Sequence, residues 1–210
     1  MGLGTGTGRK KIFSLAGMKT PRFAVATDTG SSIALAHSIG YPVVAKIVSP
    51  HIVHKSDVQG VVVGIVDDKE LIRTFQRFSK LDGFAGMLIE EMIKGTELII
   101  GCKNDLQFGP MILLGMGGVG VEIYKDVALR MAPVKTRDVT SMVQELKAHK
   151  LLTGYRGSAP VNMQELRKSI ITFSNLMMDL RNIAESVDLN PVICNSKNCI
   201  VADARIMLKK

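Results

Sequence analysis

The stretch PVVAKIVSPHIVHKSDVQG (residues 42–60) sets a β-branched run directly against a polar, basic loop. Val43–Val48 reads as a buried strand. Alternation puts Val44, Lys46 and Val48 on one face, so Lys46 stands on a face that is otherwise apolar. A lysine there is costly unless it meets an anion, or unless its stem lies along the apolar surface with its head in water. The loop that follows, His54-Lys55-Ser56-Asp57 and then Val58-Gln59-Gly60, is basic and contains glycine, as a phosphate cover would. The alternative is a solvated loop. His54 can exchange a proton near neutral pH and can act as a nucleophile.

On either side the pattern mixes helices and strands. Residues 1–8 (MGLGTGTG) read as a flexible end, and 9–18 as a short helix stopped by Gly17 and Pro21. Phe23–Ala26 reads as a strand and 29–38 as a helix closed by Gly40. A strand is expected over 61–66. The helix opened by Asp67 and Asp68 carries Leu71, Ile72, Phe75 and Phe78 at helical spacing. Strands over 87–92, 97–102, 111–114 and 127–134 are followed by helices over 136–149 and 162–180. Thr136 and Asn162 are their expected N-caps. Two final strands, 186–194 and 199–207, flank the turn Asn195-Ser196-Lys197-Asn198. Consecutive strands in the middle predict α+β rather than a regular βαβ ladder. The polar, Pro-ended connector 104–110 predicts a boundary, with a first lobe of about 20–105 and a second of about 106–208.

The chain has 210 residues, 46% hydrophobic and 22% charged, which excludes a disordered tail protein. No apolar run reaches the ~20 residues of a membrane span, and the basic, Gly-rich start has no apolar signal core. Cys102, Cys194 and Cys199 are too few and too irregularly spaced for a disulfide framework or a zinc site. A reducing cytoplasm is the expected home. The balance of 27 Lys and Arg against 19 Asp and Glu, +8, suits an anionic partner. The basic residues are scattered and little interleaved with aromatics, which disfavours nucleic acid.

Three further segments bear chemistry. Gly115-Met116-Gly117-Gly118-Val119-Gly120 formally matches the dinucleotide fingerprint, with Asp138 near the acidic position. It lies mid-chain, and strands follow it more readily than a helix, so a Gly-rich active-site loop with Glu122 exposed fits better. Glu90 and Glu91 end one strand and Glu97 begins the next. They are either solvated or placed to bond an adenine amino group and a ribose. Asp188 and Asn190 share a strand face, and Asp203 lies on the next strand. This oxygen cluster suits Mg²⁺, with exposed edge polars as the alternative.

Together these segments resemble the ATP-grasp β subunit of ADP-forming acyl-CoA synthetases, the acetate–CoA ligase type. The resemblance is carried by IGYPVVAKIVSPHIVHKSD (39–57), ELIIG (97–101), FGPMILLGMGGVGVEIYKDV (108–127), RMAP (130–133), GYRG (154–157), DLNP (188–191) and ADARI (202–206), in the family's order. Gln59-Gly60 departs from the Gly-Gly usual after the H-K-S-D segment. The resemblance implies an ATP-grasp domain over 9–210, two α+β lobes with the nucleotide between them. It implies an acid–thiol ligase that interconverts acyl-CoA, ADP and phosphate with carboxylic acid, CoA and ATP. Lys46 would contact the phosphates and the loop with Lys55 would cover them. Glu90, Glu91 and Met92 would line the adenine pocket and Glu97 would hold the ribose. Asn190 and Asp203 would bind Mg²⁺ with Asp188 beside them. Glu122 would lie near the phosphoryl-transfer point, and His54 would be a second relay. The implied partner is an α subunit with a CoA-binding module and a phosphorylated histidine, in a hetero-oligomer without nucleic acid or membrane. An NAD-type oxidoreductase subunit and a basic RNA- or partner-binding module are the competing readings.

Overall fold

The computed structural model describes residues 6–52, 55, 57–118, 126–157 and 159–209. Helix α1 (Gly6–Leu15) starts three residues earlier than the sequence predicts, so Gly6 to Gly8 belong to a helix rather than to a free end. The chain divides into two units, one built on Pro21–Ile93 and the other on Arg9–Thr20, which includes most of α1, with Lys94–Lys210.

The first unit contains β1 (Phe23–Ala26), α2 (Thr29–Ile39), β2 (Val43–Val48), β3 (Val61–Ile65), α3 (Asp68–Phe78) and β4 (Gly86–Glu91). Its four-stranded sheet runs β1-β4-β2-β3, with every pairing antiparallel. Side-chain caps start both helices. Asp28 Oδ1 accepts the Ser31 N–H at 2.8 Å, and Asp67 Oδ1 accepts the Glu70 N–H at 2.8 Å. Val43, Ala45 and Ile47 of β2 pack with Met87 and Ile89 of β4 against Ala36, Leu71, Phe75 and Phe78.

The second unit contains β5 (Thr96–Asp105), β6 (Gly109–Met116), β7 (Val127–Met131), α4 (Thr136–Glu145), α5 (His149–Leu152), α6 (Met163–Asp179), β8 (Ala184–Cys194), β9 (Cys199–Val201) and β10 (Ala204–Leu208). The antiparallel sheet runs β10-β8-β5-β6-β7, with β9 on β8. Its core joins Leu98, Ile100, Ile112 and Leu114 to Val139, Met142, Leu166, Ile170 and Phe173. Both sheets are antiparallel beside helices, the α+β class expected.

Several expectations are corrected. The boundary falls at Ile93/Lys94, and 104–110 is a hairpin turn inside the second sheet, with β5 and β6 in register from Leu98↔Met116 to Asp105↔Gly109. Asp105 Oδ1 accepts the Gln107 and Phe108 N–H groups there, a local turn whose polar composition reads like a linker. The helix expected over 136–149 breaks after Glu145, because Asp126 takes the Lys147 and Ala148 N–H groups at 2.7 and 2.9 Å. Its N-cap is Lys135, whose N–H donates to Asp138 Oδ2, and not Thr136. Asn162 caps α6 as expected, accepting from Gln164 and Glu165. The last strand is split at Ala202-Asp203. Cys194 and Cys199 form a disulfide, which the sequence reading discounted. No helix among the described residues is long and apolar enough to cross a membrane.

Candidate functional site

The pleat of β2 sends Val43, Ala45 and Ile47 into the first core, so Val44, Lys46 and Val48 stand on the opposite face, as alternation predicts. Glu90 shares that face from the neighbouring strand, because Val44 pairs with Glu90 and Lys46 with Leu88. The diagonal brings Lys46 Nζ to 2.9 Å from Glu90 Oε2. Lys46 is 7% exposed and Glu90 2%. The anion that a lysine on an apolar face demands is therefore supplied by the protein itself. Glu91, one residue on, points the other way and bonds Arg22 Nε at 3.2 Å, while Arg22 Nη2 donates to the Ile39 carbonyl at 2.7 Å. The adjacent carboxylates thus have separate partners. Met92 follows them, its sulfur near Gly64.

His54, with residues 53 and 56, lies outside the described residues. The flanks of its loop are anchored. Gly60 donates its N–H to the Lys55 carbonyl at 2.6 Å, and its own carbonyl accepts from Ile47 N–H at 2.8 Å. Gln59 has φ +51°, and Arg77 holds it twice, through Nη2 to the backbone oxygen at 3.0 Å and Nη1 to Oε1 at 3.3 Å. On the other flank His51 Nδ1 lies 2.9 Å from Asp82 Oδ2. No motif in the sequence points to Arg77 or Asp82, because both act on the loop from remote positions in the chain.

In the second unit Glu97 lies in β5, and its carbonyl accepts the Gly117 N–H at 2.7 Å. A Cβ at Gly117 would come within 2.7 Å of the Glu97 carbonyl carbon, so only glycine permits this approach. Gly118 takes φ +71° beside the Glu97 carboxylate. Gly117 and Gly118 therefore pack onto Glu97, a pairing the sequence did not reveal. Glu122 lies outside the described residues. Strand β6 pairs antiparallel with β7, Gly115 opposite Val127, whereas a dinucleotide fingerprint needs a strand that feeds a crossover helix.

Along β8, Val187, Leu189 and Val192 are buried in the core, which places Asp188 and Asn190 on the other face. The Asn190 N–H donates to the Asp203 carbonyl at 3.2 Å, and Asp203 Oδ1 accepts the Ala204 N–H at 3.0 Å. Asp188 sits between Gly101 of β5 and Arg205 of β10. Burial pushes its carboxyl pKa above the ordinary range, and Arg205 offsets part of that. Burial, and then the Asp188 charge, push the Cys102 thiol up to about 12. Among the described residues no three His, Cys, Asp or Glu side chains cluster as a metal site. Asn190 and Asp203 supply hard oxygens, the donor type Mg²⁺ takes when phosphate and water complete its shell, so they fit that ion.

Residues 4–208 match the ATP-grasp domain family. The chain is 40% identical over 207 residues to the β subunit of acetate–CoA ligase [ADP-forming] I from Pyrococcus furiosus, covering 95% of this chain and 89% of that one. Among solved structures it is similar to acetyl-coenzyme A synthetase 1 of Ca. Korarchaeum cryptofilum in complex with coenzyme A and Ca-AMPCP. That match has a TM-score of 0.91 and 37% identity, over 98% of this chain and 93% of that one. A second structure of that protein carries Mg-AMPPCP, its phosphohistidine segment pointing towards the nucleotide binding site. It matches at TM-score 0.85 and 36% identity, over 98% and 93% of the two chains.

Proposed function

Because the chain belongs to the ATP-grasp family and has the β subunits of ADP-forming acetate–CoA ligases as relatives, we propose that it is the nucleotide-binding part of an ADP-forming acyl-CoA synthetase. The reaction is acyl-CoA + ADP + phosphate ⇌ carboxylic acid + CoA + ATP. The observation that carries this reading is the buried Lys46, held at 2.9 Å by Glu90 on an otherwise apolar face. An ammonium so placed can meet a phosphate without a large loss of hydration at the moment of binding.

Phosphoryl transfer asks the protein mainly to position groups and neutralise charge. Lys46 does this in the first unit, with Glu90 orienting it and Lys55 on the anchored loop adding charge. In the second unit Asn190 and Asp203 would hold Mg²⁺, which would supply positive charge against the phosphates. Glu97 takes the ribose, Glu91 and Met92 border the base, and Glu122 is assigned to the transfer step. The phosphoryl group is carried by a histidine of an α partner that also binds CoA, with His54 as a second carrier. The relatives' subunit naming and the phosphohistidine segment of the Korarchaeum protein support this division of labour. A cytoplasmic setting, where ADP, phosphate and CoA are at hand, suits this reaction.

The test uses the chain reconstituted with its α partner. ATP formation from acetyl-CoA, ADP and phosphate is expected, and His54→Ala abolishes it while the Mg·ADP-induced rise in Tm survives. Near-normal turnover by that variant removes His54 as a carrier. A Tm raised by NAD but not by Mg·ADP overturns the whole reading.

A further inference from the structure

The hairpin that joins β8 to β9 carries Cys194 and Cys199 as cross-strand partners, joined as a disulfide with Cα atoms 4.1 Å apart. Both are buried. In the turn between them Asn195 Oδ1 accepts the N–H groups of Lys197 at 3.0 Å and Asn198 at 2.9 Å. Strand β9 has only three residues. A strand that short has little ladder of its own to hold it, so a covalent link to β8 matters more there than in a long strand.

What the hairpin holds extends its reach. The chain leaves this unit after Thr20 and returns to it at Lys94. At the first crossing Lys19 bridges Ile200, its carbonyl accepts the Val201 N–H at 2.8 Å, and its Nζ donates to Asn198 Oδ1 at 2.6 Å. At the second, the Lys94 carbonyl accepts from Asn195 Nδ2 at 3.2 Å. Gly95 lies so close that a Cβ would come within 2.4 Å of the Cys194 oxygen, and Thr96 pairs with Cys194. One six-residue segment, closed by one sulfur–sulfur bond, fastens Lys19 and the Lys94–Thr96 stretch, the parts of this unit next to its chain exits at Thr20 and Lys94.

We propose that Cys194–Cys199 is a reversible redox site, a dithiol–disulfide pair that exchanges with a dithiol reductant, and that its oxidation locks the hairpin that holds Lys19 and Lys94–Thr96. In the forward step a thiolate of the reductant attacks one sulfur, the Cys194–Cys199 bond breaks, and a mixed disulfide forms. The reductant's second thiolate then displaces the remaining protein sulfur. Two electrons and two protons pass to the chain as two thiols, and the reductant leaves as a disulfide. Because both sulfurs are buried, opening of β9 precedes the exchange. Cys102 does not compete, since a thiol pushed up to about 12 has almost no thiolate at neutral pH.

The experiment uses the full chain. Denatured and alkylated without reductant, it is expected to label one thiol, Cys102. After native treatment with dithiothreitol it labels three, and after removal of the reductant and reoxidation it labels one again. In the native state, reduction speeds amide exchange at Lys197, Asn198 and Val201 by at least about tenfold and leaves α3 unchanged. It lowers Tm by about 5 °C. The Cys194→Ala/Cys199→Ala variant reproduces the reduced exchange pattern, and if it does not fold, the reduced natural chain reads the same quantity. Three labelled thiols without reductant overturn the proposal, as does equal exchange in the two states. Neither result bears on the nucleotide reading, which the Mg·ADP shift tests separately.

Discussion

The two units solve opposite electrostatic problems. In the first, Lys46 and Glu90 are both almost fully buried and meet at 2.9 Å, so the charges are balanced before any ligand arrives. In the second, Asp188 is half-buried, its pKa is raised by that burial, and its cationic neighbour Arg205 offsets only part of the cost. Asn190 and Asp203 add more oxygen donors close by. One unit presents a cation already held by a carboxylate. The other presents oxygens with too little positive charge, the condition a divalent cation relieves.

The largest test attacks the balanced pair. Lys46→Ala removes the ammonium from beside a buried carboxylate, a change worth about 3 kcal/mol, and should lower the apo Tm by about 10 °C. Lys46→Met combined with Glu90→Gln should recover most of that loss and still show no Mg·ADP-induced rise in Tm. A single variant with the natural Tm would show that the pair is not balanced as described.

A smaller effect is expected in the oxygen cluster. Asp203→Asn keeps the shape and removes one ligand charge, which should weaken Mg²⁺ roughly tenfold. Nucleotide titrations with Mg²⁺ should shift by that factor, while those with EDTA stay put. Equal weakening in both would place Asp203 in the fold rather than at the metal.

The smallest effect has the opposite sign. Because burial lifts the folded pKa of Asp188 above its ordinary 3.8, the native state binds that proton more tightly than the unfolded state does. Stability therefore falls as pH rises from 3.8 through the folded pKa, and the full cost persists above it. Asp188→Asn should raise the apo Tm at pH 7 by about 2 °C and flatten its pH dependence in that window. A lower Tm in the variant would mean that Arg205 outweighs the burial.

Local pattern settled much of this protein without coordinates. The alternation of β2 put Lys46 on its face, Asp188 and Asn190 fell together by the same rule, and Asn162 was legible as a cap, because each depends only on neighbours a few residues away. The ordered segments from 39 to 206 pointed to the family. Tertiary structure decided the partners. Glu90 became the counter-ion of Lys46 because the register sets it opposite Val44, and Gly117 met the Glu97 backbone across a hairpin. The boundary moved to Ile93/Lys94 because β5 pairs with both β6 and β8. Cys194 and Cys199, five residues apart, became neighbours only when a four-residue turn folded β9 back onto β8. Periodicity says which way a side chain points, but what it meets there depends on strand order and register, and those are chosen by how whole faces pack.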